Sequence, residues 1–142
     1  MKTVGYAAKS QGSELTEFAF ERRDLRNNDV EIEILYCGVC HSDLHAVRND
    51  WGGSRYPLVP GHEIVGKVKS VGSDVKKYKQ GDTVAVGCMV DSCQSCDQCD
   101  NNEEQFCREG MVGTYAGKDR ETGDMTQGGY SKHVVVREEF VL

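Results

Sequence analysis

Four cysteines, Cys93, Cys96, Cys99 and Cys107, spaced C-x2-C-x2-C-x7-C, constrain this chain more than any other feature. Two intervening residues let neighbouring thiolates turn towards one ion, and the fourth returns from the end of a short loop to close a tetrahedron. Four thiolates at about 2.3 Å are what a structural zinc takes, with no open position. The residues between them (Gln94, Ser95, Asp97, Gln98, Asp100, Asn101, Asn102) are polar and cannot build a core, so the lobe needs a metal to hold it. Disulfides are the competing use of such a cluster. Seven cysteines, however, cannot all pair, and the opening Met1-Lys2-Thr3-Val4-Gly5-Tyr6 leads into polar sequence without a signal-peptide apolar stretch.

The 142 residues suit one domain with a real core. No apolar run approaches the roughly 18 residues of a membrane span. With a mean hydropathy of −0.55 and free thiols, the cytoplasm is the expected compartment. The net charge is −6, which repels nucleic acid unless a local basic patch intervenes. The one dense patch, Lys76, Lys77 and Lys79, lies near a turn and reads as a solvated loop. A nucleic-acid zinc finger is disfavoured by the acids around the lobe, Asp91, Asp97, Asp100, Glu103 and Glu104.

Period-two alternation predicts a mainly β chain. Val30, Ile32, Ile34 and Tyr36 alternate with Glu31, Glu33 and Leu35. Further strands are expected at 16–22, 64–71, from 83 to 86 and at 130–136, separated by Gly, Asn and Asp turns. Short strands of this kind suggest a barrel or sandwich. Ser42 is a candidate N-cap for one short helix, with Asp43 in its first turn and Leu44, Ala46, Val47 and Trp51 on its apolar side. Residues 113–127 are rich in Gly and Asp and read as a loop. No G-x-G-x-x-G follows a strand, so no dinucleotide fold is visible.

A second constellation joins Cys40-His41-Ser42-Asp43-Leu44-His45 to Pro60-Gly61-His62-Glu63. Cys40, His62 and Glu63 are all ligand types that zinc accepts, and a catalytic zinc needs about three of them plus an exchangeable position. Spacing alone leaves open a core cysteine beside two unrelated surface histidines. The C-x-x-C spacings also raise a thiol redox protein, although bound zinc would silence those thiols.

The order Gly38-Val39-Cys40-His41-Ser42-Asp43, Pro60-Gly61-His62-Glu63-Ile64-Val65-Gly66, Val71-Gly72, Gly81-Asp82-Thr83-Val84, the four-Cys lobe and Gly128-Gly129-Tyr130 resembles the zinc-dependent medium-chain alcohol dehydrogenases. Tyr56-Pro57-Leu58-Val59-Pro60 and Val86-Gly87-Cys88-Met89-Val90 are similar to the cinnamyl-alcohol-dehydrogenase branch. The resemblance implies a GroES-like, partly open β-barrel over residues 1–142, with the zinc lobe at 88–110. It implies that Cys40 and His62 are ligands of a catalytic zinc, that Glu63 is the neighbouring carboxylate, and that Asp43 orients the ligand histidine. Ser42 then takes the alcohol's proton and His45 is the outer end of that relay. His41 lies near the cofactor phosphates, and Trp51 and Cys88 line the pocket. Cys37 is expected as a core thiol and His133 as a strand-face residue.

The same resemblance implies two zincs per complete subunit, NADP rather than NAD, a small-molecule alcohol or aldehyde as substrate, and a homodimer. The family's third catalytic-zinc ligand is a downstream cysteine, and its nucleotide-binding domain lies further on. The chain is therefore expected to be the catalytic-domain portion of a longer enzyme, inactive by itself. The rival expectation is a stand-alone zinc-binding or interaction module.

Overall fold

Alternating apolar residues build eight short strands in the computed structural model, which describes residues 1–142. They are β1 (Lys2–Ala8), β2 (Leu15–Glu21), β3 (Asp29–Cys37), β4 (Ile64–Val71), β5 (Thr83–Val86), β6 (Met89–Asp91), β7 (Val112–Gly113) and β8 (His133–Arg137). A central antiparallel sheet runs β5-β4-β3-β8, and two ribbons, β1-β2 and β6-β7, flank it. Bridges from Gly5 to Ser131, Ala8 to Leu58 and Val86 to Val141 stitch these pieces into a mainly β, partly open barrel. No helix is long and apolar enough to cross a membrane.

The core follows the alternation. Ile64, Gly66 and Val68 of β4 point inward while Val65, Lys67 and Lys69 face out. Ile64 and Val68 join Val30, Ile32, Val86, Val134 and Val136 in a buried apolar cluster. Each such side chain, fully buried, contributes roughly 1.5–3 kcal/mol. Strand β3 departs from strict period two: Glu31 is buried along with Val30 and Ile32. Its carboxylate is satisfied across the sheet, where Lys69 Nζ (2.9 Å) and Ser70 Oγ (2.6 Å) donate to it.

Other departures have local causes. Strand β1 is not among the expected strands, because its inward positions Thr3, Gly5 and Ala7 are small and carry little hydrophobic signal. The run at 130–136 becomes strand only from His133, since Tyr130 and Lys132 bond instead to Pro60, Tyr6, Val4 and Ile34. The helix α1 (His41–Arg48) starts with Cys40, not Ser42, as N-cap. The reason is Asp43, whose Oδ2 reaches back to accept from Cys40 N at 2.9 Å, the carboxylate half of a capping box.

Two features bring the chemistry together. Strands β3 and β4 are antiparallel neighbours, so the end of one and the start of the other lie side by side. Their register slips between Ile34 and Tyr36, leaving Leu35 as a bulge residue, and pairing resumes as Tyr36 with Val65 and Cys37 with Ile64. Gly38 N then donates to Glu63 O at 2.9 Å. Bulges bend a strand and re-aim the residues beyond them. Here the bend turns Cys40, past the end of β3, towards His62 and Glu63, just before β4. Separately, β6 and β7 pair across a 20-residue excursion that carries the four-Cys lobe and the one-turn helix α2 (Asp97–Asp100).

Candidate metal centres

In the lobe, α2 and the loop after it fold Cys96, Cys99 and Cys107 back onto Cys93. The four sulfurs all lie within 4.8 Å of one another. Cys93 Sγ is 3.8 Å and Cys96 Sγ 3.6 Å from Cys99 Sγ. A disulfide would need about 2.05 Å. Four sulfurs placed tetrahedrally at about 2.3 Å from one ion are about 3.8 Å apart, so the donor set fits a closed, all-thiolate zinc site. Donors surround the sulfurs as thiolates require: Cys93 N reaches Cys107 Sγ (3.5 Å) and Arg108 N reaches Cys96 Sγ (3.4 Å). The backbone N–H of Ser95, followed by its hydroxyl and the neighbouring thiols, lowers the Cys93 thiol to about 6. The lobe's root is tied to the sheet, with Asp91 accepting from Arg26 Nη1 at 2.9 Å.

The second cluster forms where β3 and β4 meet. Ligand atoms of Cys40, His62 and Glu63 lie within 4.8 Å of one another. Cys40 and His62 are half-buried and Glu63 is exposed, so one side stays open to solvent. One thiolate, one imidazole and one carboxylate make three ligands with room for a fourth group, the donor chemistry of an open zinc site. Close backbone approach is needed: a Cβ on Gly38 would collide with the Glu63 side chain, and Gly61 has φ +99° with a Cβ position only 2.6 Å from the Tyr130 ring.

Asp43 is the organising group beneath this cluster. It is 3% exposed. Its Oδ2 accepts from Cys40 N and from Tyr130 Oη, each at 2.9 Å, and its Oδ1 accepts from Gly61 N at 2.9 Å. None of these bonds goes to His62. Asp43 instead bonds to the backbone of Gly61, the residue that sets where His62 begins.

Around the rim, Ser42 Oγ is 3.5 Å from Cys40 Sγ. His45 Nδ1 faces Asp50 Oδ2 at 2.8 Å. The His45 ring lies between His41 (5.2 Å) and the exposed Trp51 (4.8 Å). Cys88 is exposed on the β5–β6 connection, where its carbonyl accepts from Thr114 N at 3.1 Å. Cys37 packs partly against the core, and burial raises its thiol pKa. His133 is half-buried, Nδ1 has no partner, and burial lowers its pKa.

Two tyrosines join the site beyond the residues to which the sequence assigns a role. Tyr130 anchors Asp43 from 87 residues away. Tyr115 stacks on His62, with ring centroids 5.4 Å apart and 22° between planes. Burial first, then Asp43, raises the pKa of both phenols. The Gly128-Gly129-Tyr130 motif points at the first. Nothing marks the second, which sits in a polar loop.

The profile of the alcohol dehydrogenase GroES-like domain matches residues 26–142. This chain belongs to that family. A rice (Oryza sativa subsp. japonica) protein named "Probable cinnamyl alcohol dehydrogenase 3" is 52% identical over 141 residues, covering 99% of this chain and 38% of its own length. "Probable mannitol dehydrogenase 1" of Stylosanthes humilis is 53% identical, covering 99% of this chain and 39% of its own length. The crystal structure of CAD from Helicobacter pylori complexed with NADP(H) superposes with a TM-score of 0.96 at 42% identity, over 100% of this chain and 41% of that one. The chain thus spans well under half the length of the proteins it matches.

Proposed function

We propose that residues 1–142 are the catalytic-domain portion of a zinc-dependent alcohol dehydrogenase or aldehyde reductase that uses NADP(H) on aromatic or medium-chain alcohols and aldehydes. The observation that carries this reading is the meeting of Cys40, His62 and Glu63 within 4.8 Å at an open edge, beside a closed four-Cys site. Support for the cofactor comes from the H. pylori relative with NADP(H), and for cinnamyl-type substrates from the rice relative. The Stylosanthes relative supports a sugar alcohol as the competing substrate class.

Cys40, His62 and Glu63 would hold the reactive zinc, and Cys93, Cys96, Cys99 and Cys107 a structural one. The chemistry zinc supplies when held there is Lewis-acid polarisation of the substrate oxygen, with hydride exchange left to the nicotinamide. The chain's own residues handle the proton. Ser42 Oγ accepts it from the alcohol, or returns it to the aldehyde. His45 is one helical turn on, the same face of α1. With Nδ1 held against Asp50, that nitrogen carries the ring proton and Nε2 is the basic one. His45 therefore passes the proton between the relay and solvent. Asp43 keeps Cys40 and the Gly61-His62 corner in register while Ser42 works. His41 faces the cofactor phosphates, and Trp51 and Cys88 border the substrate. The complete enzyme is a cytoplasmic homodimer on this reading.

The test is NADPH oxidation with a cinnamyl-type aldehyde, run beside mannitol oxidation and beside NADH. Ser42→Ala should lose on the order of 10²–10⁴ in turnover, the usual range for general acid–base help, with both metals retained. Full turnover by Ser42→Ala removes Ser42 from the relay. Residues 1–142 alone should show no turnover, because nothing in them places a nicotinamide, and that positioning is worth roughly 7–11 kcal/mol.

A further inference from the structure

The buried acid beside the Gly61-His62 corner, Asp43, does not bond to the His62 ring. A metal-binding histidine usually donates its second N–H to a carboxylate, a carbonyl or water, which fixes its ring plane. Here the nearby carboxylate of Asp43 is committed to Cys40 N, Gly61 N and Tyr130 Oη. What lies against the imidazole is the half-buried ring of Tyr115, stacked at 5.4 Å and 22°. Aromatic pairs at this separation prefer such offset arrangements.

Tyr115 is itself held on both sides. Before it, Thr114 N donates to Cys88 O (3.1 Å) and Thr114 Oγ1 to Gly87 O (2.6 Å). After it, Ala116 N donates to Thr126 O (3.0 Å) and Gly117 N to Thr126 Oγ1 (2.9 Å). Tyr115 also lies just beyond β7, and β7 pairs with β6, the strand that leads into Cys93. The ribbon that roots the four-Cys lobe thus aims the ring at His62.

We propose that Tyr115 is a positioning residue for His62, fixing its imidazole plane by stacking rather than by hydrogen bonding. The proposal rests on the reading of His62 as a metal ligand. The role belongs to the ring and not to the hydroxyl, so Tyr115→Phe should preserve it and Tyr115→Leu should not.

The test has two readouts on the whole chain loaded with zinc in the four-Cys lobe. The chain has four histidines, which makes their ring signals assignable by NMR. The parent should show NOEs between the Tyr115 and His62 rings and an upfield ring-current shift of the His62 protons, kept in Tyr115→Phe and lost in Tyr115→Leu. Cobalt(II) is then titrated into the second cluster and followed by its thiolate charge-transfer band. Affinity should fall about three- to tenfold in Tyr115→Leu, the scale of one aromatic contact, and stay unchanged in Tyr115→Phe. Equal cobalt affinity in Tyr115→Leu, or a parent without the NOEs, overturns the proposal. So does a loss of affinity in Tyr115→Phe, which decides the matter even if Tyr115→Leu does not fold. Parent protein that shows the NOEs but never binds cobalt through Cys40 and His62 defeats the metal-ligand reading instead.

Discussion

Asp43 shows how much one side chain decides here. It is buried, and three donors converge on it from Cys40, Gly61 and Tyr130. Asp43→Ala leaves all three without a partner, and each stranded buried donor costs about 1–3 kcal/mol. The expected loss in urea unfolding is therefore about 3–5 kcal/mol, far more than a surface acid would give, and a change below about 1 kcal/mol would contradict the arrangement. Gly61→Ala acts at the same corner through sterics, since φ +99° disfavours any side chain and the new methyl would meet Tyr130 and Cys37. The neighbouring backbone must shift, so this variant should also displace His62 and weaken metal binding at the second cluster.

At the scale of elements, the two clusters sit on different kinds of support. The second cluster grows from the β3–β4 edge, whose strands are held by the core whether or not a metal is bound. The lobe has only α2, a short turn and polar residues, so on the proposed reading it depends on a bound ion. Four thiolates also outbid one thiolate, one imidazole and one exposed carboxylate. A chelator titration should release the second-cluster metal first. Hydrogen exchange should then show loss of protection confined to the lobe when the four-Cys metal leaves, with β3, β4 and β8 still protected. Simultaneous release, or earlier release from the four-Cys site, would contradict this order. Strands whose β-branched residues alternate are legible in the sequence: β4 and β5 fall where the pattern puts them. Strands β1 and β7 are not. β7 is two residues long and β1 packs through Thr3, Gly5 and Ala7, so neither carries an apolar signature. The two clusters of possible metal-binding side chains are legible because their residue types and spacing stand out in the sequence. Tyr115 is not, because its function depends on a fold that brings it 53 positions back to His62.

Across the whole molecule, a chain of buried ion pairs fastens these parts together. Asp29 accepts from both Arg23 and Arg26, Arg26 continues to Asp91 at the lobe's root, and Arg137 of β8 lies 3.6 Å from the same aspartate. Burial alone would raise the Asp29 pKa, but its bonds to Arg23 and Arg26 outweigh that and hold it below the usual aspartate range. A depressed carboxyl stabilises the fold above its unfolded value and loses that contribution as pH falls through its folded value. Asp29→Asn should be about 3–5 kcal/mol less stable at pH 7, the cost of breaking one side of a buried pair. It should also lose less stability than the parent between pH 4 and acid, as followed by urea midpoints. A parallel acid limb in parent and variant would rule out Asp29 as its source. The proposed chemistry depends on two metals held in unlike sites. X-ray absorption at the zinc edge, with native mass spectrometry for the count, measures that without an assay of turnover. Two zincs are expected in the parent and one in Cys40→Ser. In Cys40→Ser the remaining ion should be all-sulfur at about 2.3 Å, with the mixed sulfur, nitrogen and oxygen component gone. One zinc in both proteins, or a metal-free lobe with disulfides, would refute the two-site reading.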